Sequence, residues 1–245
     1  MNWQQSTSIY NSRVSMLGAT SLNIFGDVIN QLPCAPLSYT PSHEGLLKYQ
    51  LCLLVIAAAR SAQELGQAIQ LLWVSGRFLA GSLAVRLLLE ERGFLAYAKT
   101  KVLRKIDEAG ELKIAHERLT KLLLGSKSGV PLPAGLGRHH AVINVNEFIR
   151  EAELLSPGTA DAYAFLCDAS HPTYLQHSYL LFAGADYDNW SNAKFSETAH
   201  SILERTLSIA EGALLGVKET GLEIFNGCLP MILSEAAALY GAAST

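Results

Sequence analysis

The feature that most constrains this chain is the helical spacing of its apolar residues over two long adjoining stretches, about 43–74 and 78–106. In the first stretch, apolar residues recur three or four positions apart, as at Leu47, Leu51, Leu54, Val55 and Ala58. No part of the sequence keeps the strict apolar and polar alternation of a half-buried strand. We therefore predict an all-α protein, an irregular bundle of about seven to nine helices.

Proline, glycine and turn residues mark the ends of the other predicted helices. These helices are expected at about 6–31, 111–124, 142–155, 160–170 and 193–227. Gly76 or Gly81 separates the two long helices, and Pro230 ends the last helix before a short apolar tail. We expect a single domain over 1–245, with an N-terminal helix and proline-rich connector at 1–41 and the main bundle at 42–235.

The composition is more apolar than that of an average soluble domain, with 49% hydrophobic and 17% charged residues. Much of this apolar surface has to be buried within the chain or in an assembly, so we expect a homo-oligomer or a protein partner. A membrane span is not expected. The apolar run Leu51–Ala59 is shorter than the roughly 20 residues that a span needs, and Leu71–Leu89 contains two arginines.

The N-terminus lacks the basic start and apolar core of a secretory signal, so we expect a cytoplasmic protein. The four cysteines, Cys34, Cys52, Cys167 and Cys228, are widely separated and form no C-x-x-C pair. This spacing argues against a disulfide framework and against a zinc knuckle. We interpret the cysteines as small buried hydrophobic side chains.

Charge is distributed unevenly along a chain whose net charge is −3. Residues 77–138 hold twelve Lys or Arg against six Asp or Glu, whereas residues 139–245 hold four against thirteen. Basic and acidic helices that pack against each other, or against partner subunits, explain this asymmetry most simply. A basic surface that faces phosphate groups is the alternative interpretation.

Four residues on two predicted helices are candidate functional residues: Arg86, Glu90, Asp168 and His171. Arg86 and Glu90 are four positions apart, so they share one face of an apolar helix. Asp168 lies three positions before His171 and can orient its imidazole at the helix end that Pro172 imposes. The structural interpretation is a buried polar cluster in which these residues pair, and the functional one is a catalytic or ligand-binding site.

Metal and nucleophile chemistry have weaker support in the sequence. A ligand set can be assembled from five residues, Glu90, Asp168, His171, His177 and His200. However, no His-x-x-x-His pair exists, and the one Glu-x-x-His stands alone where metal-binding helical bundles use two. No G-x-S-x-G motif is present, and the glycine-rich stretch Gly125–Gly137 lacks the residue order of a phosphate-binding loop. We therefore expect neither a metal nor another cofactor.

The segment Arg86-Leu87-Leu88-Leu89-Glu90 and the later pattern Tyr163-x-x-Leu166-x-x-x-Ser170-His171-Pro172 resemble an uncharacterised bacterial family of all-helical proteins. That family has an R-x-x-x-E helix and a later helix end of the type Tyr-x-x-Leu-Ser-x-x-x-His-Pro, and Cys167 stands here where the pattern has serine. The resemblance covers about residues 50–215 and implies an all-helical fold. More distantly, the chain is similar to the HEPN superfamily, whose RNA-cleaving members use an R-x(4 to 6)-H motif. This chain has no arginine at those positions before His171.

Two functions remain open at this point. The leading interpretation is a non-secreted helical binding or regulatory protein of bacterial defence or stress, whose candidate residues form a buried Arg/Glu/Asp/His cluster. The alternative is an HEPN-like RNA-cleaving enzyme. In that enzyme His171 would act as general acid and base, Arg86 would steady a phosphate, and the basic segment 99–138 would hold RNA.

Overall fold

A computed structural model describes residues 42–75, 77–108, 110–125, 142–170 and 193–241, together with residues 12, 13, 15 and 16. Side chains are described at all of these positions except 170, 193–200 and 238–241. The described residues are mostly helical and contain no strand, which confirms for them the prediction of an all-α protein. The predicted helix at 6–31 lies almost wholly outside the described residues.

The helices follow one another along the chain in the order that the apolar periodicity predicts. They are α1 (His43–Val74), α2 (Phe78–Tyr97), α3 (Leu112–Leu124), α4 (Val145–Leu155), α5 (Thr159–Ser170) and α6 (Ala193–Gly241). A π-helical segment, Ala98–Leu103, and a short α-helical turn, Arg104–Asp107, continue α2 without a break. The described residues thus hold six helices, and the count of seven to nine for the whole chain stays a prediction.

The π-helical segment that follows α2 is the main departure from the predicted course of the chain. The periodicity predicts a plain α-helix here. A π turn interrupts the regular hydrogen-bond ladder of a helix, so it depends on other contacts for its stability. In this segment Ala98, Val102 and Leu103 are buried. Arg118 of α3 donates from Nη1 to the carbonyl oxygen of Lys101 over 2.9 Å, which anchors the segment from outside.

The predicted end of the last helix at Pro230 is wrong, because α6 continues through this proline to Gly241. A proline inside a helix removes one backbone hydrogen bond and crowds the turn before it. The carbonyl that loses its donor belongs to Asn226, and both Asn226 and Pro230 are exposed, so water can replace the lost donor. Cys228 before the proline and Ile232 after it are buried and hold the helix to its core.

Two glycines form turns that require a left-handed backbone. Gly110, with φ of 85°, lies between the short helical turn Arg104–Asp107 and α3, and Gly158, with φ of 92°, separates α4 from α5. Glycine adopts this conformation without the steric cost that a side chain adds. Gly81 instead lies inside α2, where a Cβ atom would be 3.3 Å from the Trp73 ring, so the two long helices do not separate at that glycine.

The chain divides into two compact units. The first comprises Met1–Ile24, Arg60–Arg92 and Ser156–Val217, and the second comprises Phe25–Ala59, Gly93–Leu155 and Lys218–Thr245. Buried apolar residues of the first unit include Ala62, Ile69, Val85, Leu88, Leu166 and Leu207. Those of the second include Leu47, Leu51, Leu95, Leu119, Ile224 and Phe225. The expectation of a single domain over 1–245 stays a prediction.

Helix α1 is the one described helix that is long and apolar enough to cross a membrane, judged by length and composition. In its most apolar window, 56% of the residues are buried inside the protein. A helix in a protein core meets the same two criteria, so they do not by themselves distinguish a span from a core helix.

Two of the cysteines behave as the sequence predicts. Cys52 and Cys228 are buried free thiols. A hydrogen bond with Cys52, together with burial, raises the pKa of Cys228, so this thiol stays protonated and unreactive at neutral pH. Cys167 differs because it is only half-buried on α5, and Cys34 lies outside the described residues.

Candidate functional site

Arg86 and Glu90 meet on one face of α2, as their spacing predicts. Arg86 Nε donates to Glu90 Oε1 over 3.1 Å, and 26% of each side chain is exposed. Other faces of the same helix are held in the core by the buried residues Val85, Leu88 and Leu89. The two charges are therefore half-buried and compensate each other, as charges removed from water have to.

Tyr163 of α5 completes a closed ring with this pair. Arg86 Nη2 donates to Tyr163 Oη over 3.1 Å, and Tyr163 Oη donates to Glu90 Oε1 over 3.0 Å. The guanidinium carbon of Arg86 also lies 5.3 Å from the centre of the Tyr163 ring, within the range of a cation–π contact. We name Arg86, Glu90 and Tyr163 the Arg86 cluster. It joins α2 to α5 within the first unit.

The protonation states of the Arg86 cluster follow from its surroundings. Burial raises the pKa of Tyr163 to about 12; the hydrogen bond from Arg86 opposes this rise, and the charge of Glu90 adds to it. Burial lowers the pKa of Arg86, but its contacts with Tyr163, Cys167 and Glu90 outweigh burial, so that pKa is raised. At neutral pH the phenol is therefore protonated and the guanidinium is charged.

The other two candidate residues, Asp168 and His171, come from the C-terminal end of α5 and the residue that follows it. Asp168 is exposed, so its predicted burial is wrong. A helix turns by about 100° per residue, which places Asp168 roughly 140° around α5 from Tyr163. Leu166 and Ala169 occupy buried positions of that helix instead. His171 lies outside the described residues, so its membership of the cluster stays a prediction.

A second polar cluster belongs to the other unit and includes the π-helical segment. Glu151 of α4 is only 5% exposed. Its Oε2 accepts a hydrogen bond from Thr100 Oγ1 over 2.7 Å, and its Oε1 lies 2.9 Å from Lys101 Nζ. Both oxygens of the buried carboxylate are thus engaged, which offsets the cost of removing the charge from water. We name Glu151, Thr100 and Lys101 the Glu151 cluster.

Sequence reasoning missed Tyr163 and Glu151 as cluster members. The signal for Tyr163 was present, since it opens the Tyr-x-x-Leu part of the second pattern. No comparable signal marks Glu151, because its partners Thr100 and Lys101 precede it by about fifty residues and only the fold brings them together.

Lys48 of α1 is a further buried charge, with 7% of the residue exposed. Its Nζ lies 2.9 Å from Asp107 Oδ1 and 3.3 Å from Glu44 Oε1. Burial lowers the pKa of Lys48, but the hydrogen bonds and charges of these two carboxylates outweigh burial, so that pKa is raised. The ammonium group therefore stays charged and links α1 to the turn that follows the π-helical segment.

Two lysines of the basic part of the chain pair with carboxylates of its acidic part. Lys99 Nζ lies 2.6 Å from Glu223 Oε2 on α6, and Lys101 pairs with Glu151 on α4. Both carboxylates come from the acidic part of the chain, residues 139–245. Further pairs lie within the basic segment: Arg104 with Glu108, and Lys105 with Glu108 and Glu111. These pairs agree with the simpler interpretation of the charge asymmetry, in which basic and acidic helices pack against each other.

The part of the chain that the structure describes contains no group of three or more His, Cys, Asp or Glu side chains placed to hold a metal. Of the ligand set assembled from the sequence, His171 and His177 lie outside the described residues, as does the side chain of His200. The expectation of no metal therefore stays a prediction.

Comparison with family models, curated proteins and solved structures finds no match for this chain. The resemblance to the bacterial helical family and to the HEPN superfamily therefore stays a prediction.

Proposed function

We propose that the protein is a non-secreted helical binding or regulatory protein in which the Arg86 cluster holds helices together and performs no chemistry. The observation that carries this proposal is the closed ring of three hydrogen bonds among Arg86, Glu90 and Tyr163, each between 3.0 and 3.1 Å. The bacterial defence or stress context and the cytoplasmic location implied by the sequence belong to the same proposal.

The protonation states of the ring support a structural role. A general base needs a lone pair that can take a proton near neutral pH. The Tyr163 phenol, with a pKa of about 12, keeps its proton and directs it to Glu90. Arg86 in turn directs two of its donors at Glu90 and Tyr163, so these donors already have partners inside the protein.

The pairing of the basic segment also supports binding without RNA cleavage. An RNA-holding surface needs lysines and arginines that are free to contact phosphates and release counterions. Lys99 and Lys101 are instead engaged by Glu223 and Glu151. Contact with RNA at these lysines would first have to break two ion pairs, one of them to a carboxylate that is 7% exposed.

The test is an RNA-cleavage assay on the full chain at low salt, with single-stranded and hairpin RNA and with His171→Ala as the matched variant. We expect no cleavage by either protein. Cleavage by the wild type that is lost in His171→Ala would contradict the proposal and favour the HEPN-like alternative. Equal cleavage by both proteins would point to a contaminating nuclease and would be resolved by repurification, after which the expected result is none.

The structural part of the proposal is tested with a further single variant, Tyr163→Phe, whose melting temperature is compared with that of the wild type. Loss of the phenol oxygen removes two of the three ring bonds, so we expect a lower melting temperature for this variant. A melting temperature equal to that of the wild type would show that the ring does not hold α2 to α5.

A further inference from the structure

Helix α1 carries an exposed stripe on the side away from its core. Its members are Leu46, Leu53, Ala57, Arg60, Glu64 and Leu71. Successive members are three, four or seven positions apart, so at about 100° per residue they fall within a sector of roughly 60°. Leu53 is 46% exposed and Leu71 is 73% exposed. We name these six residues the α1 stripe.

The opposite side of α1 is buried in the core of the protein. Leu47, Leu51, Val55, Ala62 and Ile69 are all completely buried. All six members of the α1 stripe belong to one uninterrupted α-helix, His43–Val74. The stripe therefore runs for about 37 Å along one helix, with leucines towards both ends and two opposite charges near its middle.

Four of the six members of the α1 stripe are placed symmetrically about position 62, and Leu46 and Ala57 have no counterpart among the others. Arg60 and Glu64 lie two positions on either side of it, and Leu53 and Leu71 lie nine positions on either side. When two copies of this helix are laid side by side in opposite directions, Leu53 of one faces Leu71 of the other. Arg60 of each then faces Glu64 of its partner. Every contact occurs twice, as a two-fold interface requires.

We infer that the α1 stripe is the interface of an antiparallel homodimer, in which two Arg60–Glu64 ion pairs at the centre are flanked by two Leu53–Leu71 contacts. The spacing of three, four and seven positions is that of helices packed side by side along an apolar seam. Opposite charges within that seam set the direction and register of the two helices. This interface goes beyond the proposed function, because the Arg86 cluster takes no part in it.

The charges of Arg60 and Glu64 favour a second copy of the chain over a lipid surface as the partner of the stripe. Helix α1 meets the length and composition criteria for a membrane span. If the stripe faced lipid, Arg60 and Glu64 would lie near the middle of the hydrocarbon layer, where unpaired charges are costly. A second copy of the chain covers Leu53 and Leu71 and supplies each charge with its opposite. Arg60 and Glu64 are both exposed on α1, where each can meet the opposite charge of the partner.

The first experiment measures the mass of the full chain in solution at about 100 μM by sedimentation equilibrium. We expect twice the 26.5 kDa of one chain for the wild type. Arg60→Glu places like charges opposite each other at two points, so we expect its dissociation constant to rise on the order of 100-fold. Arg150→Glu is the matched control, because it reverses an exposed arginine on α4, outside the stripe, and is expected to leave the dimer unchanged.

The second experiment tests the antiparallel register. The double variant R60E/E64R restores opposite charges across the interface, so we expect its dissociation constant to return close to that of the wild type. An equimolar mixture of R60E and E64R, each of them weakly associating alone, is expected to form the dimer. In a parallel dimer each charge would face its own copy, so R60E alone would change little. Circular dichroism of every variant is expected to match the wild type, because both side chains are exposed.

Three results would overturn the inference. They are a wild type that is monomeric at 100 μM, a dimer that R60E leaves intact, and a double variant that stays as weak as R60E. Binding of the wild-type monomer to neutral phosphatidylcholine vesicles would assign the stripe to lipid and overturn it as well.

Discussion

The Arg86 cluster and the Glu151 cluster each compensate the charge of a carboxylate that is removed from water, but the two carboxylates differ in burial. Each places a carboxylate between a basic side chain and a hydroxyl group. In the Arg86 cluster the carboxylate side chain is 26% exposed, and in the Glu151 cluster it is 7% exposed. Water can therefore replace a lost partner of Glu90 far more easily than a lost partner of Glu151.

The two clusters also differ in how their charged residues come together. In one the residues are neighbours along a helix, and in the other they meet only in the folded protein. Arg86 and Glu90 are one helical turn apart, and any α-helix over these residues brings them together. Glu151 meets Thr100 and Lys101 only because α4 packs beside a segment that winds as a π-helix. We expect the second kind of contact to matter more for stability, and the following predictions test that difference in order of decreasing effect.

The largest effect is expected for Lys101→Met, which leaves the buried Glu151 carboxylate without its cation. Breaking a buried ion pair from one side costs about 3 kcal/mol of the free energy of unfolding. The measurement is urea unfolding at pH 7, followed by circular dichroism. Lys121→Met serves as the control, because Lys121 is exposed on α3, and it is expected to change little. If both variants unfold at the same urea concentration, the Glu151 cluster does not contribute as described.

A smaller effect is expected for Tyr163→Phe in the Arg86 cluster. This variant keeps the ring and removes the hydroxyl group, so it should cost about 1 kcal/mol in the same unfolding experiment. Tyr97→Phe is the matched control, because Tyr97 is similarly buried and its phenol makes no hydrogen bond to another described residue. A cost for Tyr163→Phe as large as that for Lys101→Met would contradict the ranking of the two clusters.

The smallest effect is expected for Glu91→Gln, beside the Arg86 cluster. Burial raises the pKa of Glu91 above its ordinary value of 4.5, although a hydrogen bond from Ser61 opposes the rise. The folded state therefore binds this proton more tightly than the unfolded state does, so wild-type stability falls as the pH rises from about 4.5 through the folded pKa.

Because glutamine cannot ionise, Glu91→Gln should be slightly more stable than the wild type at pH 7 and closely similar to it at pH 3. Melting temperatures of both proteins across this pH range provide the measurement. A variant that is less stable than the wild type at pH 7 would contradict the direction given for Glu91.

Local patterns in the sequence predicted most of what the structure shows, and contacts across the fold account for most of what they missed. Apolar periodicity placed α1 and the start of α2 within a residue or two of their observed bounds. The π-helical segment was missed because its stabilising partners, Arg118 and Glu151, come from later helices.

Two further errors have a similar physical origin. Pro230 predicted a helix end because proline is locally unfavourable in a helix, yet buried residues on either side carry α6 past it. Asp168 was expected to belong to a buried cluster with Arg86, Glu90 and His171, but Tyr163, Leu166 and Ala169 are the buried residues of α5. In both helices the packing of buried side chains outweighed what the neighbouring residues in the sequence indicate.

The central claim is that Arg86 and Tyr163 act together to hold α2 to α5. A double-mutant cycle with Arg86→Met, Tyr163→Phe and the combined variant, measured by urea unfolding at pH 7, tests it most directly. We predict a coupling energy of about 1 kcal/mol, with the double variant less destabilised than the sum of the two single variants. Strictly additive losses, or no loss in either single variant, would contradict the claim.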